Sequence, residues 1–503
     1  MSDHRYATIA ELGDALRRRR VSAVELAEET CARLARVGPR YNAVATVTRE
    51  RALAEAKRAD AALGRRERRP LLGIPYGAKD LLAAKGAPTT WGAPPYRDQV
   101  IDMDATAIAK LRRAGAVLAA KLAMVELAGG GGYRYPSASL QGPGRNPWNT
   151  ERWSGGSSSG SGAAVAGGLV AYALGSETSG SIGTPSAYCG VTGLRPTYGL
   201  VSRHGAMALS WTLDKIGPMA RSADECAVVL EAIAGPDSAD ATASGRRFKP
   251  LDTRPAAAAV KRARVAFAEE DIEDHASEEA KRALERGKRA RVAFAEEDIE
   301  DHASAEAKRA LERGLAEFRK IAPKFARATL PALPFGPLVS TVYAAEGATI
   351  FAGLIEGERF EELVDTRQKA GLRASLDIRA RDYLQAMRLR SAVSTAFAEM
   401  FKNADVILSV GRTITATPIT QALDQPGLTA SNPQQTKRPG NTGLIAAGNL
   451  AGLPAIFFPC GFGTDGMPVG LQLVGPPFSE PLLVALASAY QRATDHHTKR
   501  PME

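Results

Sequence analysis

Residues 154–200 read SGGSSSGSGAAVAGGLVAYALGSETSGSIGTPSAYCGVTGLRPTYGL, and the fold turns on how this stretch is understood. From Gly129 to Gly205 the composition shifts toward glycine and serine, which in isolation marks a flexible linker. Alanine, valine and leucine are interleaved here, however, and AAVAGGLVAYAL is expected as a buried helix. Glycine inside packed sequence marks positive φ or close backbone approach. The stretch therefore reads as a site built into a core, not as a tether.

Outward from it, apolar positions recur at helical spacing through residues 8–64, in VELAEETCARLARV and ALAEAKRADAAL. RRPLLGIPYGAKDLL predicts a strand ending in a loop at Lys79 and Asp80. ATAIAKLRRAGAVLAAKLAM predicts a helix, a glycine turn and a short buried strand. Toward the C-terminus, NTGLIAAGNLAGLPAIFFPCGF and GMPVGLQLVGPPFSEPLLVALASAYQRAT read as helix, strand, strand and helix. Such alternation is that of an α/β layer architecture. No linker interrupts it, so residues 1–503 are expected as a single domain.

Residues 261–287 and 288–314 are a 27-residue tandem duplication in which Glu278 of the first copy becomes Ala305 of the second. Each copy predicts a strand at RVAFA, an acidic turn and a helix beginning near the serine. Two copies do not make a solenoid, which needs about three. The second copy runs directly into GLAEFRKIAPKF, so its helix is expected in the native slot and the first copy extruded.

The net charge of +10 comes largely from runs such as Arg17–Arg20 and Arg65–Arg69. Aromatic residues do not interleave with them as single-strand stacking requires, so solvated helix edges are expected and nucleic acid is not. Cys31, Cys189, Cys226 and Cys460 are scattered without a C-x-x-C pair, which points to neither zinc nor disulfides. No signal pattern opens the chain, and no apolar run approaches the roughly 20 residues of a membrane span. A cytoplasmic protein, monomer or homodimer, without membrane association is expected.

Histidine narrows the chemistry. Only six occur, and none forms H-E-x-x-H or another helical ligand pair, so no metal is expected. GSSSG around Ser158 matches a nucleophile elbow, but RNPWNTERWSG before it does not read as the buried strand that an elbow needs. A serine hydroxyl is a weak nucleophile until a neighbouring base takes its proton. Lysine serves if burial lowers its pKa toward neutrality. Lys79 ends an apolar segment as such a base would, although taken alone it reads more often as a solvated loop lysine.

Together, SGGSSSGSGAAVAGG and GSETSGSIGTPSAYCGVTGLRPTYG resemble the amidase-signature sequence. GIPYGAKD resembles that family's lysine motif, and GRNPW, LDKIGPMARS, NLAGLPAI and GMPVGLQLVG are further landmarks in family order. The resemblance spans nearly the whole chain apart from the duplication. It implies an α/β fold with a large mixed β-sheet covered on both faces by helices. It also implies a triad of Lys79, a cis-peptide serine at Ser157 and the nucleophile Ser181, with an oxyanion hole from the N–H groups of Thr178, Ser179, Gly180 and Ser181. No metal or organic cofactor is implied. Three positions depart from the family pattern: Glu177 replaces an aspartate, Ser179 a glycine, and Gly183 the arginine that usually follows Gly-Ser-Ile.

Hydrolysis of a C–N bond in a small-molecule amide is therefore expected, extending to carbamates (urethanes) or esters. In glutamine-using relatives the missing arginine helps hold a substrate carboxylate, which argues against the alternative, the glutamine-hydrolysing A subunit of a tRNA-dependent amidotransferase. It favours a neutral or larger substrate. A second alternative is a non-catalytic scaffold that retains the fold. The pocket is expected along Met124–Leu140, with Met124, Tyr133 and Tyr135 as lining residues, and around Thr429–Asn441.

Overall fold

The computed structural model of the protein describes residues 4–251, 259–260, 263, 265–266, 303–322, 330–331, 333–423 and 442–502. Its strands are β1 (Val44–Val47), β2 (Pro75–Lys79), β3 (Val117–Leu122), β4 (Arg145–Asn146), β5 (Asn149–Trp153) and β6 (Tyr172–Glu177). They continue as β7 (Thr192–Arg195), β8 (Lys215–Ala220), β9 (Val265–Ala266), β10 (Val406–Val410), β11 (Ala455–Phe462) and β12 (Pro468–Val474). Ten of them form one sheet in the order β1-β3-β2-β6-β8-β7-β11-β12-β10-β9. The β3-β2-β6 run is parallel, as is β10-β9, and the other pairs are antiparallel.

Side chains alternate between the two faces of a strand. Every residue of β2, β3, β6, β7, β8, β10 and β12 is nevertheless buried, so both faces of the sheet are covered. Helices cover them, as the α/β expectation requires. Three start where a capping box satisfies their first N–H groups: Thr8 with Glu11, Ser22 with Glu25, and Ser222 with Glu225. The basic runs lie on the surface beside carboxylates, Arg18 and Arg20 on Asp14, and Arg65 and Arg69 on Glu67.

Three local readings change. β1 sits inside the stretch read as wholly helical, because four residues are too few to break that periodicity. AAVAGGLVAYAL is not one helix: the helix Ser159–Ala166 ends at Gly167, and Tyr172 begins β6. RNPWNTERW does contain strands, but β4 and β5 form a separate two-stranded sheet, largely exposed along β5, so no elbow forms at Ser158.

The duplicated segment contributes from both copies. β9 belongs to the first copy and pairs with β10, while the helix Ala305–Ile321, capped by Ser304, belongs to the second and packs on β11. The helix expected of the first copy and the strand expected of the second fall outside the described residues, as does the question of extrusion.

Candidate active site

Lys79 is the last residue of β2, and Ser176 is next to last in its parallel neighbour β6. Carboxyl ends of adjacent parallel strands bring both side chains to one rim of the sheet, where open α/β sheets place their ligands. Lys79 Nζ donates to Ser157 Oγ at 2.7 Å and to Ser176 Oγ at 3.0 Å. Asp80, one residue on, turns to the other side and pairs with Lys121 at 2.7 Å. Lys79 thus forms no ion pair among the described residues and is fully buried. Burial lowers its amine to about 7, against the opposing charges of Asp214 and Glu177.

Ser157 enters from the loop before the helix Ser159–Ala166, and the Gly156–Ser157 peptide is cis. The Ser157 carbonyl accepts from Val125 N–H at 3.1 Å, and Ser158 N–H donates to the Ser181 carbonyl at 3.2 Å. Ser158 Oγ donates to the Ser176 carbonyl at 3.1 Å, and Ser161 Oγ to the Leu174 carbonyl at 3.0 Å. The serine run therefore laces its helix to β6, and Ser157 is the one of these serines that meets Lys79.

Residues 178–181 turn from β6 into the helix Gly183–Cys189. Gly180 sits at φ +86°, where a side chain is disfavoured. The N–H groups of Ser179, Gly180 and Ser181 donate to no described residue. Buried donors are normally paired, so this row is open to an acceptor from a ligand. Glu177 anchors the far side of the turn. Its Oε2 accepts from the Ile182 and Gly183 N–H groups at 2.9 Å each, and its Oε1 from Arg195 Nη1 and Asn449 Nδ2 at 2.8 Å each. Burial pushes the Glu177 carboxyl up, but the Arg195 charge and the hydrogen bonds from Asn449 and Arg195 outweigh it and hold it at about 2. Lys215 Nζ donates to Asn449 Oδ1 at 2.6 Å, and burial holds that amine well below its ordinary value. Nearby, Asp214 accepts from Thr178 Oγ1 and, on its other oxygen, from the Leu209 and Ser210 N–H groups.

Ser181, 8% exposed, opens onto a cavity of about 360 Å³ shared with Gly156, Tyr133, Trp153, Tyr188 and Arg412. Thr178 and Ser179 also line it. Met124 does not: it is fully buried, with its backbone against Gly92. Tyr135 is a surface residue outside the cavity. His204 and Trp211 line a second cavity of about 320 Å³ on the other side of Thr178 and Leu209. Thr429–Asn441 lies outside the described residues.

This geometry, set on this sheet, coincides with a match over residues 25–484 to the family model described as Amidase. The chain belongs to the amidase family. It is an amidase-type hydrolase acting on an amide bond. It is 35% identical to the A subunit of the glutamyl-tRNA(Gln) amidotransferase of Roseiflexus sp. (strain RS-1), over 98% of each chain. Among solved structures it resembles the native peptide amidase of Stenotrophomonas maltophilia (TM-score 0.76, 27% identity, 99% of each chain). It also resembles a chain from a vestigial complex bearing on the origins of an s-triazine catabolic enzyme (TM-score 0.81, 27% identity, 96% of this chain and 98% of that one).

Within this amidase, the missing arginine at 183 has a steric reason. A Cβ on Gly183 would lie 2.5 Å from the ring of Phe457, which is fully buried in β11. Sequence reasoning missed Ser176, Asp214, Lys215 and Asn449. The last three stand in the landmarks LDKIGPMARS and NLAGLPAI, but nothing along the chain shows that these segments converge on Glu177 and Thr178.

Proposed function

We propose that Ser181 is the nucleophile, Ser157 the proton relay and Lys79 the base in hydrolysis of a small-molecule amide, with activity extending to carbamates or esters. In this reading neutral Lys79 accepts the Ser157 hydroxyl proton as Ser157 takes the proton of Ser181. Ser181 Oγ bonds to the carbonyl carbon, and the turn Thr178–Ser181 receives the oxyanion. Preorganised donors of this kind are worth roughly 3–4 kcal/mol each in the transition state. The proton returns through Ser157 to the leaving nitrogen as the C–N bond breaks. Water then cleaves the acyl ester, giving a carboxylic acid and restoring Ser181.

The observation that carries this reading is the Lys79–Ser157 hydrogen bond of 2.7 Å, made by a buried amine lowered to about 7. A base poised near neutrality is what general base catalysis needs. The test is turnover of a panel of anilides, aliphatic amides, carbamates and esters by the purified chain and by Ser181→Ala. Loss of turnover in the variant is expected; full retention would overturn the assignment.

The amidotransferase subunits among the relatives favour a second reading, a glutamine-hydrolysing chain that works within a complex. Gly183 speaks against it, since no arginine fits there. Glutamine turnover without any turnover of simple amides by the purified chain would decide for the second reading.

A further inference from the structure

Arg412 stands two residues beyond β10, just after Gly411, whose N–H is tied to the Gly470 carbonyl at 2.6 Å. Its side chain lines the same cavity as Ser181, with the guanidinium carbon 5.9 Å from the Tyr188 ring centre. Its charge opposes the upward push of burial on the Tyr133 and Tyr188 hydroxyls, and at Tyr188 a hydrogen bond from the guanidinium to the hydroxyl does so as well. The guanidinium forms no ion pair with any described residue, and its buried Nε has no hydrogen-bond partner. Asp365, a carboxylate close enough to act on Tyr133, is already committed. Its two oxygens accept the backbone N–H groups of Arg134, Tyr135, Arg367 and Gln368.

By contrast, Arg51 and Arg195 each hold a carboxylate, and Arg390 is satisfied by the Leu450 and Thr212 carbonyls. A half-buried guanidinium with no counter-charge among the described residues, beside an otherwise aromatic and hydroxylic cavity, is unfavourable unless a ligand supplies the acceptor. A carboxylate matches the guanidinium fork, since it can take two parallel charge-assisted hydrogen bonds. At about 360 Å³ the cavity is near the lower end of small-molecule sites, roughly 300–1,000 Å³, so the ligand is small. Position 183 supplies no cation, because Phe457 fills the space that a side chain there would need.

We propose that Arg412 determines specificity by taking a carboxylate of the substrate, so that the preferred class is a small amide bearing a carboxylate away from the scissile bond. This rests on the amidase reading of Ser181 and adds to it the charge that the site reads. It also reverses the expectation of a neutral substrate drawn from the loss of arginine at 183.

The test compares paired compounds. Malonyl to adipyl monoanilides are set against methyl-terminated acyl anilides of equal length, and N-acetyl aminobenzoates against acetanilide. For at least one pair, kcat/KM should favour the carboxylate by about tenfold or more, and in Arg412→Gln that ratio should fall to near one. Which pair responds tells whether the charge sits on the acyl or the amine side. A ratio near one throughout in the unmodified chain, or a preference that survives Arg412→Gln, overturns the proposal. If no anilide turns over, the amidase reading fails separately, and the charge is then tested by calorimetric binding of the same pairs to Ser181→Ala. Tighter binding of the carboxylate member, lost in Ser181→Ala/Arg412→Gln, supports the assignment; equal affinities refute it.

Discussion

Asn449 Nδ2 reaches across 272 residues of sequence to donate to Glu177 Oε1 at 2.8 Å, on the same oxygen that Arg195 holds. Through the other oxygen of Glu177 this contact fixes the two N–H groups that follow Ser181. Placement of Ser181 therefore depends on a side chain from the far end of the chain.

Replacing Asn449 by alanine leaves Glu177 Oε1 with one partner fewer and Lys215 Nζ without its acceptor. Buried groups left short of a partner cost about 1–3 kcal/mol, so the melting temperature should fall. The Ser181 turn loses an anchor, and kcat should drop by about tenfold to a hundredfold with a smaller change in KM. Denaturant unfolding and steady-state kinetics on one preparation check both.

In the proposed mechanism Lys79 sets the pH response. Activity should rise as pH passes about 7, where the amine loses its proton. The same shift enters stability. The folded value lies below the ordinary 10.5, so between about 7 and 10.5 the unfolded chain binds more protons than the folded one. Stability from this group therefore increases with pH across that window and is least below it. Lys79→Met should be inactive and should lose this slope, as unfolding free energies at pH 6, 8 and 9.5 would reveal.

Ser157→Ala removes the proposed relay while leaving Lys79 its bond to Ser176. A loss of about 10²–10⁴-fold in kcat is expected, with little change in the circular dichroism spectrum. Ser181→Ala should lose about 10³-fold or more, and the double variant little beyond that, because groups acting as a unit are not additive.

Gly183→Ala drives a methyl group into the Phe457 ring. Overpacking of this kind costs about 1–3 kcal/mol. Phe457→Val in the same chain should recover part of that loss, giving a favourable interaction energy in a double-mutant cycle of urea unfolding.

Much of the site was legible because its residues lie in local signals. Lys79 ends an apolar strand, and Ser157 and Ser181 sit in glycine- and serine-rich turns whose backbone demands are visible in the sequence. The strands β2, β3, β11 and β12 stood out for the same reason, as short apolar runs bounded by glycine or proline, whereas β6 was hidden in a run that read as helix. What escaped was set by tertiary contact. The convergence of Asn449, Lys215 and Arg195 on Glu177 has no periodicity to betray it. Phe457 explains Gly183 only once β11 is known to lie beside the helix Gly183–Cys189. Arg412, in SVGRTIT, carries no local signal and becomes notable only because no carboxylate among the described residues pairs with it.

The pairing of β7 with β11 joins residues 193–195 to 455–457 near the middle of the sheet. A ribosome therefore extrudes Lys79, Ser157 and Ser181 long before the residues that align them. A nascent chain stopped before Asn449 holds all three proposed reacting groups but lacks the anchor for the Ser181 turn and the wall beside Gly183. Hydrolytic competence is thereby deferred to the end of synthesis, and a prematurely terminated product should be inert toward the cell's own amides.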